Sequence, residues 1–250
     1  MKANYFACAL IACLIYATHA QADQWSAGAV GILQSTPYSG GESGATVFPA
    51  IAYQGEKLVL RGPFADYYLV GSERALPSVS ITVGLGPNQL EVDGDATLLG
   101  IEDRNGSVLG GVKVAYAIWG GTISASLTTD LTNEHQGQRA LLAWQRPVLS
   151  ATNRSWQLFA GAELEYLSKD YANYYFGISD TEANQSRFST YTSGSVIQPS
   201  LTLSGYYNIS ENWQVIGNLG WQFLASDIKD SPIVDQSGVP TGLIGIIYNF

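Results

Sequence analysis

The chain has 250 residues, a formal net charge of −9, and only 13% Asp, Glu, Lys and Arg. The acidic balance argues against a nucleic-acid partner, which needs a basic footprint. The charged fraction is about half that of an ordinary soluble domain.

Lys2 opens the chain, an apolar stretch follows over 5–16, and Ala20-Gln21-Ala22 supplies a small-x-small site. The stretch is too short to span a bilayer as a helix, so the pattern predicts a signal peptide over 1–22. Cleavage is placed before Asp23, with a cut after Ala20 nearly as good. A lipoprotein box at Leu10-Ile11-Ala12-Cys13 is the rival reading, but it leaves an apolar region of about six residues, below the usual range. Cys8 and Cys13 are the only cysteines, and they leave with the signal together with His19. The remaining 23–250, about 228 residues, suits one domain without thiols. Its single histidine is His135. Disulfides, thiolate nucleophiles and Cys-based zinc sites are thereby excluded, and neither a cofactor nor a metal is expected.

From residue 23 onward, segments of about ten alternating residues recur between turns, the per-segment pattern of a transmembrane β-barrel. Strands are predicted at 23–33, 46–54, 57–65, 76–86, 97–103, 107–119, 121–132, 138–147, 155–167, 196–208, 213–224 and 241–250. Twelve antiparallel strands make the class all-β, with ten as the alternative if 97–103 is misread. An even count puts both termini at one end, the periplasmic one in a bacterial outer membrane. Short periplasmic turns are expected at 55–57, 120–121, 150–154 and 210–212, with a longer one over 86–96. A tight outer turn is expected at Arg104-Asn105-Gly106. The long connections 34–45, 168–195 and 225–240 then fall outside.

Two strands show the alternation best. Trp213, Val215, Leu219, Trp221 and Phe223 share one face against Gln214, Asn218 and Gln222. Trp156, Leu158, Leu164 and Tyr166 share one face against Gln157, Glu163 and Glu165. The last strand carries Ile244, Ile246, Tyr248 and Phe250 at every second position, a lipid-facing period. It resembles the closing strand whose terminal aromatic the barrel assembly machinery recognises. Trp25, Trp144, Trp156 and Trp213 are predicted at periplasmic strand ends and Trp221 at an outer end, forming two aromatic belts at the lipid–water interfaces. The surroundings implied are outer-membrane lipid and lipopolysaccharide.

Candidate chemistry is sparse. Arg61, Lys113, Asp130, Arg139, Glu163 and Glu165 are predicted to share the lumen. They read either as a charged constriction that filters solutes or, preferably, as ion pairs filling a barrel that conducts nothing. His135, in a short outer loop, raises a Ser–His acyl hydrolase, but no spacing singles out a serine, Ser126 included. Catalysis is not expected. Asp93, Asp95, Glu102 and Asp103 lack the spacing of a calcium loop. The aromatics Tyr171, Tyr174, Tyr175 and Phe176 fall in the longest outer loop, where they suit adhesion or packing over the barrel mouth.

The stretch Asp170-Tyr171-Ala172-Asn173-Tyr174-Tyr175-Phe176-Gly177-Ile178-Ser179, then Asp230-Ser231-Pro232-Ile233-Val234, then the ending Tyr248-Asn249-Phe250, resembles the MltA-interacting protein/OmpV family of outer-membrane proteins. There Y-x-N-Y-Y-x-G-V/I-S, D-S-P-I/V-V and Y-x-F recur in that order. Leu99-Gly100-Ile101, and Asp130-Leu131 followed by His135 and Gly137, look like further points of the pattern. The resemblance implies a barrel without known catalysis. One family member is a scaffold that brings a lytic murein transglycosylase together with a bifunctional penicillin-binding protein; others are described as antigens or adhesins. The expectation is therefore a non-enzymatic barrel that organises peptidoglycan-remodelling enzymes through turns such as 86–96 and 150–154. The alternatives are a solute pore and an adhesin acting through the Tyr-rich loop.

Overall fold

The computed structural model describes residues 23–41, 44–86, 90–92 and 97–250. The signal peptide expected over 1–22 lies outside the described residues, as do Asp93 and Asp95.

Twelve antiparallel strands close a barrel in which each pairs with the next and the last pairs with the first. They are β1 (Gln24–Gln34), β2 (Gly44–Gln54), β3 (Leu58–Arg61), β4 (Phe64–Val70), β5 (Ser78–Leu85) and β6 (Val108–Ile118). β7 (Gly121–Asp130), β8 (Gln138–Ser150), β9 (Trp156–Leu167), β10 (Val196–Asn208), β11 (Trp213–Phe223) and β12 (Gly238–Asn249) complete it. Three short helices sit in the loops: α1 (Lys169–Phe176), α2 (Asp180–Gln185) and α3 (Ser226–Lys229). The seam joins Ser26 to Asn249 and Leu33 to Gly242. Closure satisfies the backbone at what would otherwise be two strand edges, the condition for a sheet to cross lipid.

The period of two decides which side chains meet lipid. On β12, Ile244 (66% exposed) and Ile246 point outward, as does Phe250 just after it, while Leu243 and Ile247 are buried within. On β9, Leu164 and Tyr166 are exposed while Phe159 and Glu165 are buried. On β11, Leu219, Trp221 and Phe223 are exposed while Gln214 and Ile216 are buried. So much exposed apolar surface on one chain demands a hydrocarbon surround.

The strand count is as expected, but two of the strands differ. Residues 57–65 are not one strand: the chain turns at Gly62-Pro63, so β3 and β4 form a short hairpin. The alternation runs on through this turn, and the Gly-Pro pair was the stronger local signal. Residues 97–103 form no strand. Leu98 and Ile101 are buried there among loop residues, so their apolar character serves packing, not lipid contact. One strand gained and one lost leaves twelve. The consequence is a change of side: β5 runs toward the long-loop end, so 86–107 is a long loop there and not a short-turn connection.

The long-loop end is filled by a cap. Ser168 Oγ accepts from the Tyr171 N–H to start α1, and a capping box between Ser179 and Glu182 starts α2. α1 turns Tyr171, Ala172, Tyr175 and Phe176 into one apolar core. Tyr38, Leu90, Leu98, Ile101, Ile228 and Ile233 join them from three other loops. Tyr38 stacks on Phe176 at 5.8 Å, and its hydroxyl donates to the Tyr175 carbonyl at 3.0 Å. The Ser231 hydroxyl donates to the Phe176 carbonyl at 2.6 Å. Four loops thus share one dry core over the barrel mouth.

Candidate functional site

Below the cap the lumen divides in two. Phe159, Tyr206, Ile216, Leu243 and Ile247 fill the side formed by β9 to β12, with Val30, Ile32 and Ala50 packed against them. The other side, lined by β3 to β9 and by Thr202 of β10, holds a cavity of about 410 Å³. It reaches from Glu73, Arg74 and Leu76 in the short turn after β4 up to Leu109 and Arg139 beneath the cap.

Four of the six charges predicted for the lumen, Arg61, Lys113, Arg139 and Glu163, line it, and Glu165 stands beside it on Arg139. Arg139 Nε donates to Glu165 at 2.5 Å, and Glu165 also accepts from Gln198 at 3.4 Å and Gln222 at 2.7 Å. That cluster closes the cavity toward the cap. Arg61 pairs with Glu73 at the opposite end. Lys113 Nζ stands 3.7 Å from Asp66 Oδ2, a loose pair, and Glu163 lines the cavity. Asp130 is the exception and a correction to the sequence reading. Its carboxylate folds back on its own loop, accepting from the N–H groups of Thr132, His135 and Gln136 at 2.8, 2.8 and 3.0 Å. A strand-end carboxylate of the right parity read as lumen; the loop after it offers donors closer at hand.

The histidine has a partner that sequence spacing did not reveal. His135 Nε2 lies 3.0 Å from Ser107 Oγ, and Nδ1 lies 3.9 Å from Asp130 Oδ2. This has the order of a Ser–His–Asp triad but the wrong proton. The Gly137 N–H donates to Nδ1 at 2.9 Å, so Nδ1 must present its lone pair and Nε2 must carry the hydrogen. A general base needs the lone pair at Nε2, facing the serine. Ser107 is fully buried and the Tyr171 ring stands 4.4 Å from the imidazole, leaving no room for substrate. The cluster is a pin between three loops. Ser107→Ala should therefore leave any acyl-hydrolase signal of the purified protein at background.

Burial pulls the His135 pKa below its ordinary 6.5, an effect the Asp130 and Glu134 carboxylates only partly offset. Tyr171, Tyr174 and Tyr175 complete its surroundings. Because the folded cap holds the neutral form, the stabilisation is whole above about pH 6.5 and is lost as pH falls below it. Amide exchange in α1, corrected for intrinsic rate, should rise between pH 7.5 and pH 5.5, about one unit to either side of the ordinary value. His135→Ala should remove that dependence.

The Tyr-rich stretch is a helix, not a displayed loop. Tyr171 and Tyr175 are fully buried, Phe176 is nearly so, and only Tyr174 is half-buried at the surface. Burial pushes the Tyr171 and Tyr175 phenols well above their ordinary range, which keeps them neutral. Three of these four rings are thus removed from any outer partner. Arg104 also departs from the turn expected at Arg104-Asn105-Gly106. It bridges to Leu90 by backbone and pairs with Glu182 at 2.5 Å, both side chains buried. No local signal marks a pair 78 residues apart.

Among the aromatics, Trp25 packs on Tyr53 at 4.9 Å, Trp213 on Tyr248 at 5.1 Å, and Tyr248 on Phe250 at 5.0 Å, all at the short-turn end. Trp156 begins β9 at that same end. Trp221 and Phe223 meet at 6.5 Å toward the other end. Trp144 stands mid-strand opposite Ala162, because β8 runs on to Ser150. The two strongest family-like loop motifs meet in the cap, where Ser231 bonds to Phe176 and Ile233 is fully buried.

A closed twelve-strand barrel with an apolar exterior and a capped, partly polar lumen is an outer-membrane β-barrel protein. The chain belongs to the family described as MltA-interacting protein MipA, whose model matches residues 27–250. It is 30% identical over 246 residues to the MltA-interacting protein of Escherichia coli (strain K12), covering 96% of each chain. It is 25% identical over 243 residues to the putative outer membrane protein YiaT of the same strain, covering 95% of each. With outer membrane protein OmpV of Vibrio cholerae it shares 30% identity over 145 residues, 58% of this chain and 55% of that one. Among solved structures it is similar to outer membrane protein OprG of Pseudomonas aeruginosa, with a TM-score of 0.32 and 10% identity over 92% of this chain and 97% of that one. So remote a likeness transfers nothing further.

Proposed function

We propose that this protein is a non-enzymatic scaffold of the outer membrane that docks peptidoglycan-remodelling enzymes on its short-turn face. The observation that carries the reading is the asymmetry of the barrel. The long-loop end is sealed by a packed core, while the start of β1, the end of β12, the short turns and the cavity residues Glu73, Arg74 and Leu76 lie at the other end. That end is assigned to the periplasm, where the murein layer lies, with the outward aromatics of β12 serving as the assembly signal. The relative named for its interaction with MltA supports the partner class. The tautomer of His135 supports the absence of catalysis.

The docking surface needs one revision. Because 86–107 lies at the sealed end, it cannot meet a periplasmic enzyme. The turn at 151–155 remains, with Thr152, Asn153 and Arg154 exposed. Solubilised envelopes should yield the protein together with a lytic murein transglycosylase. Replacing Thr152, Asn153 and Arg154 together by Ala should reduce that recovery by about tenfold, the scale of one lost interface contact of 1–2 kcal/mol. Unchanged recovery, with loss caused instead by changes at the long-loop end, would contradict the docking.

A further inference from the structure

We propose that the polar half of the lumen is a binding pocket for a small uncharged saccharide, entered from the short-turn end. The cavity of 410 Å³ falls within the usual span of ligand pockets, about 300–1,000 Å³. Arg139, paired with Glu165, borders it at the end toward the cap, and the turn carrying Glu73 and Arg74 borders the other.

Its wall sets the chemistry. β5 contributes Ser78, Ser80 and Thr82, and β7 contributes Ser124 and Ser126. Lys113 of β6 stands in register between Ser80 and Ser126. The serine and threonine hydroxyls both give and accept hydrogen bonds, while the Lys113 ammonium only gives them. Asp66 Oδ1 is buried without a hydrogen-bond partner, an exception that asks for an explanation. Glu163, on the far wall, is in none of the ion pairs among the described residues. The Tyr68 ring, 4% exposed, adds a flat apolar surface to the lining.

Other ligand classes fit this wall poorly. An alkyl chain would strip water from the hydroxyls and carboxylates and return nothing. An anion would meet Asp66, Glu73 and Glu163, and a polycation would meet Arg61, Arg74 and Lys113. A molecule rich in hydroxyl and amide groups, without net charge, offers donors to the carboxylates and acceptors to Lys113 at once. The pocket does not depend on the docking reading, since it requires only the sealed end.

The test uses the folded barrel in detergent and N,N′-diacetylchitobiose as the probe, titrated by calorimetry with Trp144, which borders the cavity, as a fluorescent reporter. Saturable one-to-one binding is expected. Glu163→Gln and Ser126→Val should each weaken it about tenfold. Leu99→Ser, at an exposed site on the long-loop end, should leave it unchanged. Heat-dependent gel mobility certifies that each variant is folded. No saturation by about 10 mM, beyond the weak end of specific affinity, overturns the proposal. So does equal binding by folded Glu163→Gln and Ser126→Val, or saturable binding of spermidine or octanoate in place of the saccharide. Recovery of the transglycosylase is read separately, so failure of one proposal leaves the other standing.

Discussion

Gly137→Ala is expected to unseat α1 from the barrel mouth while leaving the wall intact. A Cβ at this position would lie 2.5 Å from the Tyr171 nitrogen and 2.7 Å from the Tyr171 Cα and Cβ. All three atoms belong to the helix backbone or the root of a fully buried side chain, so none can swing away. Gly137 is also tied on both sides: its N–H bonds to His135 Nδ1, and its carbonyl accepts from the Asp130 N–H at 3.1 Å. Overpacking of this kind costs about 1–3 kcal/mol. Since the strands keep their ladder, the cost falls on the cap. Amide exchange over 169–176 should rise about 5- to 150-fold, the same energy converted at 1.4 kcal/mol per decade. Heat-dependent gel mobility, which reads the wall, should not change. Exchange in α1 equal to that of the unaltered protein would show that the close approach has no energetic weight.

Arg104→Ala should open the cap further. Arg104 and Glu182 have side chains only 8% and 4% exposed, and their contact of 2.5 Å joins the 86–107 loop to α2. Arg104 also donates to the Glu102 carbonyl at 2.9 Å and the Gly177 carbonyl at 3.3 Å. Burial alone would raise the Glu182 carboxyl, but the Ser179 N–H, Arg104 and the Glu102 N–H together hold it below the ordinary range. It is therefore ionised, and removing the guanidinium leaves a buried charge uncompensated. Such a change costs about 3–5 kcal/mol, far more than the net worth of the pair. Glu182→Ala added to Arg104→Ala should recover part of the loss, because the orphaned charge goes with it. In planar bilayers Arg104→Ala should show bursts of ion conductance as the cap opens over the polar half-lumen, and the double variant fewer. A double variant worse than the sum of the two single changes would contradict the pairing.

The wall was legible in the sequence and the cap was not, for a physical reason. A strand announces itself through a period of two, and β9, β11 and β12 kept that period against lipid on one side and polar or packed groups on the other. Gly62-Pro63 and 97–103 were misread because alternation was followed where a turn or a packed loop governed. The cap depends on contacts between residues far apart in the chain: Ser107 with His135, Arg104 with Glu182, Tyr38 with Phe176. No local rule announces such pairs. The family-like motifs did mark the place, since Leu99-Gly100-Ile101, His135, Gly137, the Tyr-rich stretch and Asp230–Val234 all fall in it. Gly100 makes the point: its φ is +89°, and a Cβ there would meet the Gln185 carbonyl at 2.2 Å. The motif residues are those that a closed lid requires, more than those that a partner would read.

Whether the barrel is sealed is decided most directly by the conductance of the unaltered protein in planar bilayers. A cap with one continuous dry core predicts no steady open-channel current across a moderate voltage range, with current appearing once the cap is loosened, as in Arg104→Ala. A stable, ohmic conductance from the unaltered protein, sensitive to Glu163→Gln, would mean that the lumen is continuous through the cap and that the molecule is a pore.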